Sequence, residues 1–235
     1  MKKKTVLIIV VVFCICAFLG YKAAQKIFPS PKTAGITQIS DTDSVLIAQN
    51  NYLIIHVDSL TAKDPQLISI WAAFVYQTDP PQMMFVPLYP ATNPDVHERI
   101  STAFNLNSDK LVSSTFINQV NKAFDIQTSG YILTDDIATS LSIQWLTGVS
   151  TTIVSTPAVS DIEKGDLRSN EGVSYQQFCQ LLTAGSSSIY VSAINWQSLL
   201  PDHFSTNLPF ETMALLQDQV KNSLSPIQCE VYLAH

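Results

Sequence analysis

The sequence predicts an α/β (α+β) fold, a mixed central β-sheet flanked by helices, carried behind one N-terminal transmembrane helix. Three observations predict it. Residues 5–21 form a single uncharged apolar run between lysines. Beyond residue 44, β-branched and aromatic runs of strand length alternate with segments whose apolar residues recur at helical spacing. The roughly 200 residues beyond Lys26 suffice for one domain with one core, not two.

Lys2, Lys3 and Lys4 precede the apolar run and Lys22 closes it. As a helix the run spans ~26 Å, a little short of a hydrocarbon core of about 30 Å, and flanking lysines snorkel over such a shortfall. The lysines ahead of it hold the N-terminus in the cytoplasm. The expected layout is a cytoplasmic tail (1–4), an anchor (5–21), a linker (22–43) and an extracytoplasmic domain (44–235). This places the protein in the cell membrane as a single-pass chain. A cleaved signal peptide is the competing reading, and Cys16 to Ala24 match its small-residue cleavage pattern only loosely. Phe13 and Ile15, where small residues would be needed, argue against lipidation at Cys14 or Cys16.

All nineteen acidic residues lie beyond Lys26, against eight of the thirteen basic ones, so the outer part carries a net charge of −11. That balance excludes nucleic acid as a partner. Arg99 and Arg168 are the only arginines. Cys179 and Cys229 fall in the outer part, where an oxidising compartment permits a disulfide, and two buried free thiols are the alternative.

Residues 27–43, with Pro29 and Pro31, read as the linker. Residues 44–49 and 52–57 read as two strands of a hairpin turning at Asn50-Asn51. Residues 68–76 and 83–86 form a second hairpin around Asp79-Pro80-Pro81. Leu111, Phe116, Val120 and Phe124 give a helix capped by Asp109. Residues 130–133 form a strand, and Thr134 caps a helix that carries Asp135 and Asp136 in its first turn and stops at Gly148. Residues 149–155 read as a strand, 157–171 as a polar loop, 174–182 as a helix, and 208–220 as a helix ended by Pro226.

Chemical motifs are sparse. Seven glycines form no phosphate-binding loop, and His56, His97, His203 and His235 form no zinc-ligand spacing. G-x-S-x-G is absent. Asp135-Asp136 could serve acid–base or metal chemistry, but complementing the helix dipole accounts for it better. Trp71, Trp145 and Trp196 could line a sugar platform, although core packing fits two of them better.

The run Asn51 to Ser59, ending Val57-Asp58-Ser59, followed by residues 68–76 and by Met83-Met84-Phe85-Val86-Pro87, resembles the opening of the LytR-CpsA-Psr domain family. That opening is a strand ending in V-D-S and two strands ending in I-P-R-D. Residues 116–148 resemble the family's helix, strand and helix ending in L-G-G-V, here Leu146-Thr147-Gly148-Val149, and residues 172–177 resemble its L-D-G-E-Q-A turn. The likeness covers residues 51–220, nearly the whole outer domain. It implies an extracytoplasmic envelope protein whose family transfers polyprenyl-pyrophosphate-linked glycopolymers to peptidoglycan, with arginines and an aspartate-held magnesium on the pyrophosphate.

The residues that such chemistry needs are mostly replaced. Val86-Pro87-Leu88-Tyr89 stands for I-P-R-D and Gln66-Leu67-Ile68-Ser69 for R-S-D-T, while residues 195–211 contain no arginine. Asp58 and Arg99 alone keep family positions, too few to neutralise a pyrophosphate. The expectation is therefore an envelope protein with no catalytic residues, cofactor or metal, binding a polyprenyl-linked or glycan ligand or another envelope protein. The alternatives are a divergent glycopolymer phosphotransferase, with Asp58, Arg99 and Asp64 or His97 regrouped around magnesium, and an unrelated adhesion or scaffold domain.

Overall fold

The computed structural model describes residues 49–147, 152–183, 195–221 and 226–233, all within one compact unit, Leu46–His235. The anchor and linker expected at 5–43 lie outside the described residues. No helix among the described residues is long and apolar enough to cross a membrane.

The elements run β1 (Gln49–Val57), β2 (Leu67–Tyr76), β3 (Gln82–Tyr89), α1 (Pro94–Ala103), α2 (Ser114–Phe124), β4 (Gly130–Asp135), α3 (Asp136–Thr147), α4 (Asp161–Thr183), α5 (Trp196–Leu199), β5 (Phe204–Thr206), α6 (Phe210–Lys221) and β6 (Gln228–Val231). The strands form one six-stranded sheet in the order β5-β4-β1-β2-β3-β6. β1 lies parallel to β4 and β3 parallel to β6, and the other pairs are antiparallel. This is the mixed sheet flanked by helices that the sequence predicts.

Strand alternation divides the sheet into two buried faces. Leu53, Ile55 and Val57 of β1 join Ile70, Ala72 and Leu88 on one face, under Ile100 of α1 and Phe116 and Val120 of α2. Tyr52, Trp71, Ala73, Val75 and Phe85 line the other, under Tyr175, Phe178 and Cys179 of α4 and Met213 and Leu216 of α6. Full burial of each large apolar side chain, such as Phe116, contributes about 1.5–3 kcal/mol. Cys179 and Cys229 form a disulfide, which ties α4 to β6 and resolves the alternative left open by the sequence.

Several expectations are corrected. Asn50 and Asn51 do not turn a hairpin: β1 runs unbroken from Gln49, and Asn51 Nδ2 donates to Gln127 O at 2.9 Å while Asn51 O accepts from Ser129 N at 2.7 Å. Residues 44–48 lie outside the described part. The hairpin of β2 and β3 stands as expected. Helix α1 was not foreseen; Asn93 caps it, with Pro94 in its first turn. The cap of α2 is Ser113, whose Oγ accepts from Phe116 N at 3.2 Å, whereas Asp109 belongs to a turn folded on Asn107. Thr134 lies inside β4, so the cap of α3 falls to Asp135.

The largest departure is at 157–171, expected as a polar loop. Residues 161–183 form one helix, α4, and 172–177 lie inside it as helix, not turn. A capping box starts it: Glu163 N donates to Ser160 Oγ (3.2 Å) and Ser160 N donates to Glu163 Oε2 (2.8 Å). Residues 152–155 form no strand, and 148–151 lie outside the described part.

Candidate functional site

The parallel pair β1 and β4 points both carboxyl ends to the same edge of the sheet, the edge where α/β sheets commonly hold ligands. Two histidine–carboxylate units and an open cleft gather there.

The inner unit is built on the face of β1 that meets α4. His56 and Ser69 are cross-strand partners on β1 and β2, with Trp71 two residues along. Glu171 descends from α4 onto all three: its Oε1 accepts from His56 Nδ1 (2.8 Å) and Ser69 Oγ (2.9 Å), and its Oε2 from Trp71 Nε1 (2.6 Å). His56 Nε2 donates at 3.0 Å to Asp136 Oδ1, and Asp136 Oδ2 accepts from Ser155 N at 2.8 Å. Burial disfavours a charged His56, but hydrogen bonds and charge from Asp136 and Glu171 outweigh it and raise its pKa to about 9. Burial likewise pushes the Asp136 carboxyl up, and the bonds from His56 and Ser155 pull it below the usual aspartate value. At neutral pH the unit is an imidazolium held between two carboxylates, its hydrogen-bonding capacity turned inward.

The outer unit is Asp135 with His203. Asp135 is 1% exposed, and its Oδ1 caps α3 by accepting from Ile137 N (3.1 Å) and Ala138 N (3.0 Å). Its Oδ2 accepts from Leu60 N (3.3 Å) and from His203 Nδ1 (2.7 Å). Pairing of β5 with β4 places His203, and its carbonyl accepts from Asp135 N at 3.3 Å.

Beside Leu60 opens a cleft of about 510 Å³ with Leu60, Leu67, Tyr89, Phe104 and Leu106 among its walls. The loop 58–66 forms one side and the connection between α1 and α2 the other.

The residues singled out by family position do not converge. Asp58 Oδ1 accepts from Ser59 N (2.7 Å) and Gln66 N (2.8 Å), closing its own loop. Arg99 is exposed on α1, and Asp64 is an exposed residue on the rim of the cleft. His97 stacks on Tyr89 with ring centroids 4.7 Å apart, and burial lowers its pKa. Arg168 donates to Thr92 Oγ1 (3.1 Å) and Lys164 O (3.2 Å). Among the described residues no three His, Cys, Asp or Glu side chains group so as to hold a metal ion. Trp71 is fully buried, and Trp196 packs edge-on against Phe204; the side chain of Trp145 lies outside the described part.

Sequence reasoning set Asp135-Asp136 at a helix start to complement its dipole, and Asp136 does lie in the first turn of α3 with Asp135 capping it, but the bonds of the two aspartates to the histidines were missed. His56, His203 and Glu171 were missed as a group. A histidine amid the apolar run of β1 was the available signal, because a buried imidazole needs partners.

No protein-family model matches the sequence, and no curated protein matches it. Among solved structures the chain is similar to B. subtilis TagV (11% identity, TM-score 0.43, covering 80% of this chain and 85% of that one). It is similar to TagT bound to LIIa-WTA (12%, TM-score 0.41, 86% and 85%). It is also similar to a transcriptional regulator from Enterococcus faecalis (12%, TM-score 0.42, 78% and 75%). Likeness at this level leaves the role of the site to its own geometry.

Proposed function

We propose that this chain is a membrane-anchored, extracytoplasmic envelope protein of LytR-CpsA-Psr type that binds a polyprenyl-linked or glycan ligand, or a partner protein, without carrying out phosphotransfer. One observation carries the non-catalytic part. Where the resemblance calls for an arginine and an aspartate after β3's Pro87, Leu88 and Tyr89 are buried at 6% and 4% exposure, and the Tyr89 ring is stacked on His97. Transfer from a pyrophosphate needs preorganised cations on its oxygens. Among the cations at this edge, His56 already has both ring N–H groups bound to Asp136 and Glu171, and no arginine lines the cleft beside Lys63 and Lys110. What remains open at this edge is the cleft, which supports a binding role. The Cys179–Cys229 disulfide supports an oxidising, extracytoplasmic location.

The test is to reconstitute the full chain in lipid nanodiscs with magnesium, a polyprenyl-pyrophosphate-linked oligosaccharide and peptidoglycan, measuring retention of the lipid-linked sugar and release of polyprenyl phosphate. Retention without release is expected. Release above the protein-free control would establish the divergent transferase instead.

A further inference from the structure

Resting on the membrane-anchored reading above, we infer that the domain itself touches the bilayer: the outer side of α3, with the segment that follows it, is an uncharged apolar patch that enters the lipid interface. Residues 137–160 contain no Asp, Glu, Lys or Arg. Within this run and just after it, Ile137, Leu141, Val154, Val159 and Ile162 are exposed, the last three at 83%, 85% and 78%. Single apolar side chains on a surface need no explanation, but a group of them on one surface does.

Two hydrogen bonds make this a group. Ile153 N donates to Ser140 Oγ at 3.0 Å and Ser155 N to Asp136 Oδ2 at 2.8 Å, which lays residues 153–155 along α3. Asp136 and Ser140 stand one turn apart on the helix, and Ile137 and Leu141, one residue further on, form the neighbouring strip. Val154 lies between the two bonded residues and is turned to solvent. The chain continues the strip to Val159 and Ile162 at the start of α4. Ala138 already faces the interior at 1% exposure, so α3 is apolar on its outer side as well as its inner one. A helix that faces only water carries polar residues there.

The covalent tether selects the occupant. The 27 residues 22–48, between the expected anchor and β1, can span at most about 95 Å, so the domain never leaves the neighbourhood of the bilayer. The patch follows the carboxyl end of β4, and the tether joins the amino end of β1, which is parallel to it, at the opposite edge of the sheet. Strand β1, with nine residues, is about 30 Å long, well within that reach. Tethering raises the local concentration of the bilayer, so a small patch suffices. Charge sets the mode of contact. Asp161 and Glu163 border the patch and no lysine or arginine lies in it, so anionic headgroups do not attract it and apolar burial alone drives insertion. A second copy of the chain would set two acidic borders against each other, which disfavours self-association through this face.

The test places the full chain, with Cys14→Ser and Cys16→Ser, in phosphatidylcholine nanodiscs and attaches a spin label to Leu141→Cys, Val154→Cys or, at the opposite end of β4, Gln127→Cys. Power saturation compares the access of oxygen, which partitions into lipid, with that of a nickel chelate, which stays in water. At 141 and 154 the expected result is high oxygen access and nickel access several-fold below that at 127, unchanged at ~1 M salt, where charge interactions are screened beyond about 3 Å. Nickel access equal to that at 127 overturns the inference. Low access to both reagents means that protein covers the patch, a second copy or another partner, and overturns it too. A label on Val159→Cys repeats the measurement should either variant fail to fold. Chain that does not co-purify with the nanodiscs overturns the anchored reading itself, whereas chain retained with water-exposed labels overturns only the insertion.

Discussion

His56, near the end of β1, and His203, just before β5, stand on either side of β4, and each donates a ring N–H to a buried or half-buried carboxylate of the Asp135-Asp136 pair. They differ in what the second ring nitrogen does. In His56 it meets Glu171, which in turn gathers Ser69 and Trp71, so β1, β2, α3 and α4 are bound through one imidazolium. In His203 it meets no described residue. Adjacent aspartates thus anchor two chemically similar units, one closed around its charge and holding the layers together, the other open on one side. The difference shows that a histidine–carboxylate contact alone does not mark a site; the state of the remaining nitrogen does.

The strongest way to break this comparison is to remove the inner imidazole. Its side chain is 6% exposed, and those of Asp136 and Glu171 are 14% and 15% exposed, so His56→Ala strands two carboxylates in a poorly solvated layer. Removing one partner of a buried ion pair costs about 3–5 kcal/mol. Urea unfolding of the variant should show that loss. A loss under ~1 kcal/mol would mean that water solvates the carboxylates and that the inner unit is no more structural than the outer one.

A second measurement uses the proton itself. The folded pKa of His56, about 9, lies above the unfolded value near 6.5, so its contribution is fully present below pH 6.5 and disappears as pH rises through 9. On that interval the unfolding free energy should fall by on the order of 3 kcal/mol. Asp136, with a lowered folded pKa, contributes above about pH 4 and loses that contribution as the pH drops further. Stability should therefore be greatest between about pH 4 and 6.5, and Glu171→Gln should flatten the alkaline decline while leaving the acid limb. A decline that persists in His56→Ala would assign it to other groups.

How far this arrangement was legible follows from sequence distance. The hairpin of β2 and β3, strand β4 and helix α6 announce themselves by local pattern, and prolines mark the first and last of these. Helix α4 does so only over 174–182: its buried Lys164, Gly172, Cys179 and Leu182 make no clean apolar stripe, and the polar residues of its first half read as loop. The capping box at Ser160 and Glu163 was its one local signature. Asn50-Asn51 misled in the opposite direction, because turn-type residues at a strand end were satisfied by the distant 127–129 segment. Within the site, Asp135 and Asp136 were legible as acidic residues at the start of a helix. The clamp on His56 was not, since Asp136 and Glu171 come from 80 and 115 residues away. Local pattern encodes neither partner: the parallel pairing of β1 with β4 brings Asp136 to His56, and the packing of α4 on the sheet brings Glu171.

The smallest expected effect sharpens the contrast from the other side. Substituting His203→Phe removes one hydrogen bond from Asp135, whose carboxylate still accepts from Ile137, Ala138 and Leu60. No charge is left bare, and the phenyl ring keeps most of the packing against the strand end. The expected loss in urea unfolding is therefore about 1.5–3 kcal/mol, the range for a single bond to an ionised acceptor, below that for His56→Ala. Equal losses in the two variants would mean that His203 fastens β5 to β4 as firmly as His56 fastens α4 to the sheet.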